Sequence, residues 1–120
     1  MAYDYVGGKD RIEEILKNKI IIEEREKLPE VGNFTYENAY HSWVSSIFVD
    51  IRDSTTLFTE EDKEKVAKII RSFTSETIDV LNSSDLVREI GIRGDCVYAI
   101  YTTPQKKDTY EIFLLAATVN

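Results

Sequence analysis

The sequence contains few cysteine, histidine, proline and glycine residues. Its 120 residues include one cysteine, Cys96, one histidine, His41, two prolines and five glycines. A single cysteine excludes an internal disulfide framework and fits a reducing compartment, so the expected location is the cytoplasm. No apolar run approaches the ~20 residues that a membrane-spanning helix needs, and the N-terminal residues have neither the basic nor the apolar region of a secretory signal.

Positive charge is also scarce. Fifteen basic residues stand against 22 acidic ones, which gives a net charge of -7. An acidic chain does not attract nucleic acid or an anionic membrane, and we expect neither as a partner. A polyanionic ligand would need local help from a metal ion, a helix N-terminus or clustered backbone amides.

The N-terminal part of the chain differs in character from the remainder. Apolar residues at helical spacing predict a helix over 10–27 that begins at Asp10, with Glu13 three residues later as in a capping box. Three consecutive isoleucines within this range cannot all lie on one helix face. The predicted division is an N-terminal helical extension, 1–34, followed by a domain, 35–120.

Alternation, apolar runs and cap residues predict five further elements. They are a strand over 43–50, a helix from a Thr59 cap to Leu81, strands over 86–92 and 96–101, and a helix from about Asp108 onward. The predicted fold class is α+β, with most of a ferredoxin-like split βαβ unit that needs one more strand to close. A right-handed crossover makes the first two of these strands parallel and leaves room for the third between them.

This topology brings two acids to one edge of the sheet. Asp50 ends the first strand and Asp95 precedes the third. Two carboxylates at close range repel unless a cation lies between them, and Mg²⁺ or Mn²⁺ prefers carboxylate and phosphate oxygens. The turn after Asp50 offers backbone amides for a triphosphate. The pattern predicts metal-assisted phosphoryl or nucleotidyl transfer, although acids at strand ends are also ordinary solvated turn residues.

Two motifs carry a resemblance to a known family. Residues 46–55, SIFVDIRDST, and residues 88–101, REIGIRGDCVYAIY, resemble the class III nucleotidyl cyclase domain, and the resemblance covers about residues 44–120. The lead-in over 35–42 and the hairpin Ile92–Asp95 are most similar to bacterial antiphage pyrimidine cyclases of the Pycsar type. The chain resembles the N-terminal half of such a domain, truncated after βαββα.

The resemblance implies a lyase that converts a nucleoside triphosphate to its 3′,5′-cyclic monophosphate and pyrophosphate. By this resemblance, Asp50 and Asp95 would bind two Mg²⁺ or Mn²⁺ ions per site, with the carbonyl of Ile51 completing the second metal site. The residues that would hold the phosphates through their amides are Arg52, Asp53, Ser54 and Thr55. Family members form homodimers with active sites at the interface, and the other half of the domain supplies further groups, so the chain alone is expected to be inactive.

Two positions depart from the family pattern. Gly91 stands where purine-using members usually place the lysine that reads the base, which leaves Arg93 as the nearest candidate reader and favours CTP or UTP as substrate. Asp53 replaces the family's frequent glycine, and it either adds negative charge near the phosphates or caps the following turn. The resemblance to this group implies a second-messenger synthase in antiphage defence.

Several alternatives stay open at this point. One is an adenylate or guanylate cyclase of the same family, and another is a degenerate cyclase-like domain for dimerisation or ligand sensing. A third is another two-metal palm enzyme, although the Gly-Gly-acid-acid-Phe hairpin of diguanylate cyclases is absent. The Gly-x-x-Gly of residues 91–94 also matches RNA-binding KH domains, but a KH loop joins two helices on a basic surface. Tyr98 and Tyr101 are expected on the sheet surface.

Overall fold

The computed structural model describes residues 1–35 and 37–120. Tyr36, part of the lead-in that resembles pyrimidine cyclases, lies outside the described residues. Contacts divide the chain into two compact units, Met1–Ser42 and Trp43–Asn120. Compactness alone does not define a domain, so the division into 1–34 and 35–120 stays a prediction.

The described residues of the first unit form one α-helix, a short 3₁₀ turn and a pair of short strands. Helix α1 spans Tyr5–Lys17, strand β1 spans Ile21–Glu24, a 3₁₀ turn spans Val31–Asn33, and strand β2 spans Asn38–His41. Strands β1 and β2 pair in parallel, with Ile21 opposite Asn38.

The helix predicted over 10–27 is therefore wrong at both ends. Asp4, rather than Asp10, caps α1 by accepting a hydrogen bond from the Gly7 amide at 3.0 Å. The helix ends at Lys17, and the isoleucine run 20–22 leads into β1. Consecutive β-branched side chains lose rotamer freedom in a helix and suit an extended strand, which is why the run that fitted poorly on a helix face forms a strand.

The second unit contains three strands and three helices. Strand β3 spans Val44–Asp50, helix α2 Ser54–Glu60, helix α3 Lys63–Leu81, strand β4 Val87–Arg93, strand β5 Cys96–Thr102 and helix α4 Lys106–Val119. The predicted strands, the long helix and the final helix are confirmed, and the α+β class with them. Among the described residues, no helix combines the length and apolarity that a bilayer crossing requires.

The start of the long helix differs from the prediction. Asp62 is the cap of α3 and accepts the Lys65 amide at 3.2 Å. Thr59 lies inside α2, where its hydroxyl donates to the carbonyls of Thr55 and Thr56. Helix α2 has seven residues and no apolar stripe to reveal it, so the sequence pattern showed only a polar turn.

The sheet of the second unit has the order β3-β5-β4. Strand β5 is antiparallel to both neighbours, so β3 and β4 are parallel with β5 between them, as the crossover rule predicts. This arrangement is compatible with a ferredoxin-like unit. The fourth strand, the class III cyclase assignment and its truncation stay predictions.

Helices α3 and α4 pack on one face of this sheet and enclose the core. The buried cluster consists of Ile47, Leu81, Val97, Ala99, Tyr101 and Ile112. Tyr101 has no exposed surface, so its expected place on the sheet surface is wrong. Side chains alternate between the two faces of a strand, and Tyr98 and Tyr101 stand three positions apart. The two tyrosines must therefore face opposite sides.

The buried Tyr101 hydroxyl ties the sheet to the end of α3. It donates to the Leu81 carbonyl at 2.7 Å. Burial raises the pKa of Tyr101 to about 12, because the charged phenolate is poorly solvated there.

We expect Tyr101→Phe to lower the free energy of unfolding by about 1–3 kcal/mol, because the buried carbonyl loses its partner. Urea denaturation followed by circular dichroism measures this loss. Tyr110→Phe is the matched control, since Tyr110 is 60% exposed on α4, and it should stay within about 0.5 kcal/mol. Equal effects of both variants would contradict the assigned role of the hydroxyl.

The hydrogen bond from Tyr101 to Leu81 also makes the stability of the fold depend on pH. The folded-state pKa of Tyr101 is raised from 10.0 to about 12, so its contribution is fully present below pH 10 and is lost as the pH rises toward 12. The alkaline decline in stability should be smaller in Tyr101→Phe than in the wild type.

A second prediction concerns the turn between β4 and β5. Gly94 has φ of +64°, and nothing lies within 4 Å of a Cβ built on it. Backbone strain alone should therefore make Gly94→Ala cost about 1–2 kcal/mol in urea denaturation. Gly32→Ala is the control, because that site is equally open and has no positive φ. A neutral Gly94→Ala would contradict this account of the turn.

Candidate active site

Asp50 and Asp95 meet at one edge of the three-stranded sheet. Asp50 is the last residue of β3 and pairs with Cys96, the first residue of β5. Asp95 immediately precedes Cys96 in the two-residue turn that joins β4 to β5. Gly94 supplies the positive φ at the first turn position, as a type II′ hairpin requires. The tight turn therefore holds Asp95 beside the end of β3.

The surroundings of Asp95 bring a third side chain into the site. The pKa of Asp95 is lowered, first by a hydrogen bond from the Ser54 side chain and then by its own backbone amide. Loss of hydration at this half-buried position opposes the shift, and a hydrogen bond with the Asp50 side chain adds to it. Residues from the end of β3, the start of α2 and the hairpin thus converge on one point.

These groups suit a divalent cation that shares its ligands with a substrate. Two carboxyl groups in hydrogen-bonding contact offer hard oxygen donors, and magnesium is commonly bound by one or two carboxylates together with substrate phosphates. Within residues 1–35 and 37–120, no group of three or more His, Cys, Asp or Glu side chains is placed to hold a metal. Asp50 and Asp95 could therefore supply two carboxylate ligands to such a cation.

The segment predicted to hold phosphates forms the turn into α2. Asp53 adopts the left-handed conformation, with φ of 56°, and makes no side-chain capping bond. The expectation that Asp53 caps the turn is therefore not met. Glycine adopts this conformation without strain, and aspartate is among the few other residues that visit it. Arg52 and Thr55 are exposed, while Ile51 and Ser54 are half-buried.

The two candidate base readers lie on β4 and face the same side as Asp50. Arg93 pairs with Cys96 and Gly91 pairs with Tyr98. A Cβ added to Gly91 would meet the Tyr98 ring, so the ring occupies the space that a side chain would fill. Tyr98 was expected only as sheet surface. The signal that could have singled it out is a glycine in a strand beside an aromatic, since such a glycine often marks a close approach.

Two surface cavities lie near the candidate active site. One of about 900 Å³ runs between α3 and the hairpin and is lined by apolar residues including Val66, Ile70 and Ile92. Ile92 faces the helices, on the opposite side of the sheet from Gly91. The lining of this groove includes Gly94, the neighbour of Asp95, and neither of the two acids. The other, of about 440 Å³, lies along β3 and includes Asp50.

The contact between Ser54 and Asp95 gives a direct test. Ser54→Ala should raise the pKa of Asp95, because the ionised carboxylate loses its principal donor. The stabilisation that this carboxylate provides at neutral pH should then be lost at a higher pH during acidification. Carbon-13 NMR titration of the Asp95 carboxyl measures the shift, with Thr56→Ala on α2 as control. An unchanged titration in Ser54→Ala would show that the hydroxyl does not hold Asp95.

Comparisons with known proteins find relatives that are named as cyclases of a pyrimidine nucleotide. A scan against models of protein families finds no match. The chain is 54% identical over all of its 120 residues to a protein of Treponema porcinum named uridylate cyclase. It is 31% identical over 102 residues, 83% of the chain, to a protein of Gulbenkiania mobilis with the same name. The chain spans 42% and 40% of the lengths of these two curated relatives.

Proposed function

We propose that this chain is part of a pyrimidine nucleotide cyclase that converts UTP, or else CTP, to its 3′,5′-cyclic monophosphate and pyrophosphate. The observation that carries the proposal is the meeting of Asp50, Asp95 and Ser54 at one edge of the sheet. Similarity along the whole chain to a protein named uridylate cyclase supports the choice of reaction and of base.

In this proposal Asp50 and Asp95 bind two Mg²⁺ or Mn²⁺ ions, and the Ile51 carbonyl completes the second site. When bound, such ions acidify the ribose 3′-hydroxyl and neutralise charge on the phosphates. The chain's own contribution is to favour the ionised form of Asp95 and to hold this carboxylate close to Asp50. Ser54 serves this purpose, because its hydrogen bond favours the charged form of Asp95.

The turn from Arg52 to Thr55 holds the β- and γ-phosphates. The first amides of a helix have no partners within that helix, so those of α2 are available as donors to phosphate oxygens. Arg52 is exposed and adds a positive charge. Asp53 adds a negative charge to the same turn, and its repulsion of the phosphates is offset by the cations that enter with them.

We also propose an assembly and a biological role for the protein. Two copies form a homodimer with active sites at their interface, and each copy supplies one set of carboxylates. The 120-residue chain alone lacks the other groups of the site and does not turn over nucleotide. The cyclic product serves as a second messenger in antiphage defence.

The test joins residues 1–120 to the remainder of the Treponema porcinum uridylate cyclase, in place of the segment to which they are similar. With Mn²⁺ and each of the four ribonucleoside triphosphates in turn, this chimera should form cyclic UMP fastest, as followed by chromatography. Asp50→Asn and Asp95→Asn should each lower the rate by roughly 100-fold or more, the scale of losing a stabiliser of transition-state charge.

The control replaces an acid outside the site in the same way. Asp85→Asn, in the exposed turn after α3, should leave the rate unchanged. Cyclic AMP or cyclic GMP as the main product would overturn the pyrimidine assignment and leave the two-carboxylate mechanism in place. A folded chimera that forms no cyclic product would overturn the proposal and favour a ligand-sensing role.

A further inference from the structure

An aromatic row crosses the face of the sheet that the helices do not cover. In the strand register Phe48 of β3 lies opposite Tyr98 of β5, which lies opposite Gly91 of β4. Asp50 is two residues beyond Phe48, so alternation places it on the same face. Phe48 is 69% exposed, a high value for a phenylalanine within a strand.

The Tyr98 ring lies over the β4 backbone at Gly91. A Cβ at Gly91 would clash with the ring carbon of Tyr98 that bears the hydroxyl. The hydroxyl donates to the Glu89 carboxylate at 3.0 Å, which anchors the far end of the ring. Phe48 stacks beside Tyr98, with ring centroids 5.9 Å apart and planes inclined by 27°. The row therefore presents two aromatic rings whose planes are roughly parallel.

This surface lies one row from the carboxylates. Asp50, Cys96 and Arg93 form the next row on the same face, two residues along each strand, or about 6.6 Å away. In a nucleotide the base is separated from the phosphates by one ribose. Phosphates bound in the carboxylate row would place the base over the aromatic row.

We propose that the Tyr98 ring over Gly91, together with Phe48, is the surface on which the pyrimidine base of the nucleotide stacks. The inference rests on the proposed cyclase function and names the residues that contact the base. The spacing of about 6.6 Å between the two rows applies to phosphates bound by the carboxylates of the same copy. Stacking on aromatic side chains accepts any base with a flat face, so Tyr98 contributes affinity for the base.

A purely structural role for Tyr98 would also explain why its ring lies over Gly91. An aromatic ring that covers a glycine stabilises a neighbouring edge strand, and β4 lies at one side of this sheet. That role predicts a loss of stability when the ring is removed and no change in nucleotide binding. It also gives no reason for the exposure of Phe48.

Steady-state kinetics of the chimera described above separates the two roles. Tyr98→Leu should raise KM for UTP about tenfold, which corresponds to about 1.4 kcal/mol, with the effect falling on KM rather than kcat. Tyr98→Phe keeps the ring and should restore most of the affinity. Tyr110→Leu, at an exposed tyrosine on α4, is the matched control and should leave KM unchanged.

A binding measurement identifies the contact without turnover. The probe is 3′-deoxy-UTP, which cannot cyclise, and saturation-transfer NMR reports whether irradiated aromatic protons of the protein lie near the base protons. We expect transfer to uracil H5 and H6 in the wild type and in Tyr98→Phe, and its loss in Tyr98→Leu. Inorganic triphosphate should bind Tyr98→Leu as well as it binds the wild type.

The outcomes distinguish this inference from the proposed function. If the chimera is active and Tyr98→Leu changes neither KM for UTP nor saturation transfer to the base, the proposed stacking surface is wrong. If Tyr98→Leu lowers the melting temperature and leaves KM unchanged, Tyr98 only stabilises the edge of the sheet. A chimera without cyclase activity overturns the proposed function, and the NMR measurement still decides whether the base contacts Tyr98.

Discussion

The antiparallel pairing of β5 with both of its neighbours is the constraint on which the second unit depends. Its register puts Val97, Ala99 and Tyr101 into the core and leaves Tyr98 on the open face. A shift of one residue would exchange the two faces. Such a shift of β5 would turn the Tyr98 side of this strand toward the helices and would expose Val97, Ala99 and Tyr101. The Tyr101 hydroxyl, bonded to the end of α3, opposes that shift because it fits only one register.

In the proposed function an acidic protein binds a polyanion. With a net charge of -7, the chain repels phosphate at long range. It concentrates two carboxylates at one point and lowers the pKa of Asp95 with the Ser54 hydroxyl. Two carboxyl groups placed in this way offer the hard oxygen ligands that divalent cations prefer. In the proposed reaction those cations reverse the local sign of charge, so that recognition of the nucleotide depends on the ions.

The sequence analysis predicted the order of the strands in the sheet and the proximity of Asp50 and Asp95. Both follow from the order of the strands along the chain and the handedness of the crossover. The predictions were wrong where the local sequence is compatible with more than one secondary structure. The isoleucine run 20–22 fits both a helical and an extended pattern, and α2 has no apolar stripe. The sequence analysis also missed the contacts of Ser54 and Tyr98. Those contacts depend on side-chain orientation across the register, which spacing along one strand does not specify.

The outer edge of β3 is a place where a further strand can pair. Among the described residues no strand pairs with that edge, and Val44 and Phe48 are exposed on β3. An apolar edge strand with unpaired backbone groups is a template for pairing, and the predicted fourth strand of the ferredoxin-like unit would satisfy those groups. Asp50 is the one charged residue in the segment VSSIFVD, so pairing along β3 would also fix the backbone that carries this carboxylate.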